Sequence, residues 1–82
     1  MDREQAWSHL EQSLTRLLVA VSPQLDDKDR EFLTEFIANR EFGVALEWLH
    51  LLSSKTLELS EPQRVEVRRL ADFMEIDLSK LT

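Results

Sequence analysis

At 82 residues and without a single cysteine, the chain has the length of one domain, near the size at which a single core only just suffices, so its stability has to come from packing. Apolar residues make up 43% of it, with one Gly and two Pro, which excludes a disordered chain and suits a few helices better than many strands. Sixteen acidic against ten basic side chains give a net charge of −6, a field that repels phosphate backbones and so argues against nucleic acid as a direct ligand, while favouring basic partners; mild acidity also serves ordinary solubility.

The chain opens on charged and polar residues, Met1 to Gln12, where a secretion signal would place its apolar segment. The longest apolar run, Leu17 to Val21, is far too short to cross a membrane. With no cysteine, these features point to a cytoplasmic protein. A first helix is expected from about Arg3 to Val21, because Trp7, Leu10, Leu14, Leu17 and Val21 recur at spacings of three and four, joined by Ala6 and Leu18. Asp2 suits the N-cap and Glu4 the positive end of the helix dipole. Ser22-Pro23 ends this helix, and the short linker Ser22 to Leu25 favours an antiparallel neighbour.

A second helix starts at Asp26 or Asp27 and runs to about Ala38, with Phe32, Leu33, Phe36 and Ile37 on its apolar face. Asp26, Asp27, Asp29, Glu31 and Glu35 crowd its first turns and outer side, diluted by Lys28 and Arg30. Carboxylates near a helix N-terminus stabilise it by roughly 0.3–1 kcal/mol each, but five exceed that need. Two readings stay open: an ordinary solvated face, or a surface that meets a basic partner. Asn39 is expected to take the left-handed or cap position that separates this helix from the next.

The third helix, Glu41 to Ser54, is the one around which the chain is organised. Phe42, Val44, Ala45, Leu46, Trp48, Leu49, Leu51 and Leu52 cover more than half of its circumference, so it is expected to be surrounded by the others. Gly43, Glu47, His50 and Ser54 form its polar strip. Glu41 falls in the first turn. Gly inside a helix costs about 1 kcal/mol relative to Ala, which leaves two explanations for Gly43: the backbone passes close to the preceding helix, or a bare surface beside Glu47 and His50 admits a partner's backbone.

A linker, Lys55 to Leu59, carries two leucines expected to tuck against the core. Ser60-Glu61-Pro62-Gln63 then announces the last helix, with Ser60 as N-cap, Gln63 closing a capping box and Pro62 in the first turn. Val67, Leu70, Ala71 and Met74 share its inward arc. Val65 and Phe73 fall outside; Phe73 either folds under Ile76, Leu78 and Leu81 or stands as an exposed contact residue.

The run Arg40-Glu41-Phe42-Gly43-Val44-Ala45-Leu46-Glu47, followed by Leu57-Glu58-Leu59-Ser60-Glu61 and a closing helix that ends Leu70-Ala71-Asp72-Phe73-Met74-Glu75-Ile76-Asp77, resembles the MafI-type immunity proteins. The likeness covers roughly Asp29 to Asp77. It implies a small helical bacterial protein that binds and neutralises a cognate secreted toxin domain, often a nuclease and therefore basic.

Catalytic chemistry is poorly represented. A nucleophile needs a base to activate it, yet His9 and His50 lie on different helices with no motif around either, and both read as surface imidazoles. Glu47 and His50 have the Glu-x-x-His spacing of di-iron bundles, but no second such motif exists, and no Gly-rich phosphate loop is present. No metal or other cofactor and no enzymatic activity are expected. The second and third helices do not read as a DNA-binding pair, since the would-be recognition helix exposes Glu47 and His50 and is otherwise apolar. Membrane binding lacks the necessary Lys and Arg excess.

The expected architecture is all-α, a single domain spanning 1–82, with about four helices bundled around the central one. Two functions remain. The first is an immunity protein that occludes a basic toxin domain through Asp26, Asp27, Asp29, Glu31, Glu35, Gly43, Glu47 and His50. The second is a helical interaction module or homodimer using Val65, Phe73 and Val19 as an apolar seam.

Overall fold

In a computed structural model of the chain, which describes residues 3–81, four helices follow one another: α1 (Arg3–Val21), α2 (Asp27–Ala38), α3 (Phe42–Ser53) and α4 (Glu61–Phe73). Two 3₁₀ turns, Ser22–Gln24 and Leu78–Leu81, complete them. The architecture is all-α, a small helical bundle. Asp2, the expected cap of α1, lies outside the described residues. No helix among the described residues is long and apolar enough to cross a membrane.

Periodicity and caps set the helices. α1 buries Leu10, Leu14, Leu17, Leu18 and Val21 along one stripe. Beyond Val21 the chain tightens into the 3₁₀ turn with Pro23 in its first turn, then extends at Leu25, which is itself buried. Asp26 caps α2 by accepting from the Asp29 N–H at 2.8 Å. At the start of α4, Ser60 Oγ accepts from the Gln63 N–H at 3.3 Å and Gln63 Oε1 accepts from the Ser60 N–H at 2.8 Å, the expected capping box.

Asn39 caps α2, one of the two positions expected of it, with a negative φ of −90°, and the left-handed residue is Arg40, with φ 60°. The Arg40 N–H donates to the Ile37 carbonyl and the Glu41 N–H to the Phe36 carbonyl, at 3.1 and 2.8 Å. This Schellman pattern fixes the left-handed position two residues past the last helical residue, whatever its side chain. The arginine gains a compensating contact, because its guanidinium lies 4.7 Å from the centre of the Trp7 ring, with Arg3 at 5.8 Å from the same ring. Glu41 stands as the N-cap of α3, outside the helix, and makes no side-chain cap bond.

α3 is central: it packs against α1, α2, α4 and the Leu78–Leu81 turn. Phe42, Ala45, Leu46 and Leu49 are buried on it. Its enclosure is narrower than the apolar count implies, since Val44 is 44% exposed and Trp48, Leu51 and Leu52 are only half-buried.

Leu57 and Leu59 of the α3–α4 linker are buried as expected. The linker is also held by a side chain that the sequence did not single out. Gln24 Oε1 accepts from the Glu58 N–H at 2.8 Å while its Nε2 donates to the Glu58 carbonyl at 2.9 Å, so one amide pairs with a backbone 34 positions away as a neighbouring strand would.

α4 buries Val67, Leu70 and Ala71, and Met74 packs partly against the core. Phe73 does not fold under the C-terminal segment. It is 46% exposed and meets the His9 ring edge-on, with centroids 5.9 Å apart. Ile76 and Leu78 pack on the core instead, because the chain reverses at Glu75, a second left-handed residue with φ 58°, where the Ile76 N–H closes on the Ala71 carbonyl at 2.8 Å.

Candidate partner-binding face

At 100° per residue the surface of α2 is ordered around its axis: Leu33 and Ile37 toward the core, then Phe32 and Phe36, then Glu31 and Glu35 on the outer side together with Lys28. α3 continues the aromatic strip. The Trp48 ring stands edge-on to Phe32 at 5.9 Å and to Phe36 at 6.3 Å, while Phe32 and Phe36 stack at 6.3 Å. Such pairs contribute about 0.5–1.5 kcal/mol each beyond their buried area. The cluster is nevertheless open to solvent: Phe32 is 36% exposed, and Val44, one turn before Trp48, is 44% exposed.

The five carboxylates of α2 divide by what they touch. Asp26 caps the helix, Asp27 pairs with Arg30 on the surface, and Asp29 Oδ1 accepts from Trp48 Nε1 at 3.4 Å, which steadies the indole. Glu31 and Glu35 are exposed, and among the described residues neither forms an ion pair. These two are the carboxylates surplus to local helix chemistry. They border an aromatic patch.

Gly43 and His50 do not join this face. His50 lies about 200° and Gly43 about 140° around α3 from Trp48, on the side covered by the chain's own C-terminal segment. A Cβ on Gly43 would stand 3.4 Å from Ile76 Cδ1, so among the described residues this glycine's neighbour is the C-terminal segment and not the preceding helix. Gly43 has no positive φ, and a methyl there makes ordinary contact. Gly43→Ala is therefore expected to leave stability unchanged or raise it by up to about 1 kcal/mol through helix propensity, read from urea unfolding. A loss beyond 1 kcal/mol would mean that the Ile76 packing tolerates no added atom. His50 also departs from the surface imidazole expected: it is half-buried, and its Nε2 is buried with no hydrogen-bond partner. Glu47 is half-buried.

Elsewhere, Arg69 donates to both carboxylate oxygens of Glu66, at 3.0 and 2.6 Å. These bonds hold the Glu66 carboxyl below the usual glutamate range, with burial opposing the shift. Its contribution to stability is present above the unfolded carboxylate range and is lost as pH falls through the lowered value. Among the described residues no three metal-ligating side chains gather.

Val19, Val65 and Phe73 are each exposed. Phe73 meets α1 at His9, and Val19 lies ten residues further on, about 15 Å along that helix.

The aromatic trio was the feature missed in the sequence; its signal was the four-residue spacing of Phe32 and Phe36 on the acid-bearing helix. Compared with known protein families, curated proteins and solved structures, the chain matches none.

Proposed function

We propose that the chain is a protein-binding domain of the immunity type, which captures a basic toxin domain on its α2–α3 face and neutralises it by covering the active site or the path of the substrate. The observation that carries this reading is the exposed Phe32–Phe36–Trp48 cluster bordered by the unpaired Glu31 and Glu35. Aromatic anchors set among charges resemble the energetic centre of many protein interfaces. That the partner is a toxin, and a nuclease in particular, rests on the resemblance of the Arg40–Glu47 and Leu57–Asp77 segments to MafI-type immunity proteins. No chemistry is required of the domain. Carboxylates draw the partner in, and desolvated rings hold it.

Long-range attraction acts mainly on the association rate and weakens with salt. Replacing Asp27, Glu31 and Glu35 together by Asn, Gln and Gln is expected to slow association with the cognate toxin domain, to be sought in the neighbouring reading frame. The salt dependence should flatten, and the helical spectrum should not change. A triple variant that associates as fast as the parent at low salt and protects cells equally well would make α2 a solvated face. A neighbouring reading frame without a toxin, together with a concentration-dependent homodimer, would favour the self-association reading instead.

A further inference from the structure

A separate concavity lies away from the α2–α3 face. It is a groove of about 750 Å³ between α3, α4 and the C-terminal segment, within the size range of small-molecule sites. Its floor is apolar, formed by Leu59, Val67, Ala71, Ile76 and Leu78. Two further observations give it chemistry. Arg64 and Arg68, one turn apart on α4, line it, and among the described residues neither guanidinium has an ion-pair partner. Toward the C-terminal end of α4 follow Asp72, one turn beyond Arg68, then Glu75 and Asp77. His50 lines the groove from α3.

We propose that this groove binds a small amphiphile with one anionic head, the head toward Arg64 and Arg68 and the apolar body along Val67, Ala71 and Leu78. Guanidinium forks bind a carboxylate or phosphate head in two-point geometry. The three carboxylates at the far end repel a second negative charge, which fixes the ligand's direction and excludes dianions with a charge at each end. This site is independent of the partner reading, since it uses the other side of α3.

The test is a titration of the isotopically labelled full chain, followed by NMR, with decanoate, decyl phosphate and decanol, each below its aggregation concentration. Both anions are expected to shift His50, Val67, Ala71 and Leu78 saturably, and decanol to bind more weakly by a factor of about ten, as loss of charge-assisted hydrogen bonds implies. The relative affinities of decanoate and decyl phosphate tell which head the groove takes. Arg64→Gln combined with Arg68→Gln should bring decanoate down to the affinity of decanol, with an unchanged helical spectrum; if the double variant unfolds, Arg64→Gln alone is read in the same way. Equal affinity for decanol and the anions, shifts that do not saturate, or shifts centred on Phe32, Phe36 and Trp48 would each overturn the proposal.

Discussion

Leu49→Ala is expected to lower the free energy of unfolding by roughly 2–5 kcal/mol through lost transfer energy and the cavity left behind. Leu49 is 1% exposed and sits on the one helix that touches α1, α2, α4 and the C-terminal turn, so no single neighbour is able to close the gap. Domains have about 5–15 kcal/mol in total, and one of this size belongs near the lower end. The variant should therefore unfold at a much lower urea concentration with an unchanged slope. Glu47→Ala, one helical face away, should stay within about 0.5 kcal/mol of the parent, as surface changes usually do. Equal damage from the two substitutions would show that the inward face of α3 has been assigned wrongly.

Phe32→Ala is the second large effect, and it falls on binding. The ring is 36% exposed and touches Phe36 and Trp48, so its removal should cost the free protein far less than a core truncation. In the complex proposed above the same ring would be an anchor, and hot-spot truncations cost about 2 kcal/mol or more, roughly 30-fold in affinity. The loss should appear mainly as faster dissociation, which separates it from the charge variants that act on association. An unchanged dissociation rate with the toxin domain would place the contact elsewhere on the surface.

The helices were legible because their signals are local. The three-and-four spacing of Leu10, Leu14, Leu17 and Val21 and the Ser60–Gln63 capping box each need only neighbouring residues, and α1 and α4 appear where these signals put them. What was not legible depended on distant parts of the chain. The polar strip of α3 reads as solvent-facing until Ile76 is known to fold back over Gly43. His50 reads as a surface residue for the same reason. Trp48 counts as core in a helical projection, whereas in the fold it stands at the edge, with its indole N–H directed to Asp29. Nothing local marks Gln24 as the clamp on Glu58. Side-chain preference left Asn39 either the cap or the left-handed position; it is the cap, and backbone geometry counted from the helix end puts the left-handed position at Arg40. Of the expected site, the acids of α2 remain on one element, and Gly43 and His50 belong to another side of the molecule.

The two tryptophans report on different parts of the molecule. Trp7 lies under the guanidinium of Arg40, where it senses the junction of α1 with the α2–α3 turn, whereas Trp48 sits between Phe32 and Phe36. The chain contains no tyrosine. In a Trp7→Phe background all indole fluorescence therefore originates from the α2–α3 face, and the emission of one native side chain becomes a label-free optical record of what docks there.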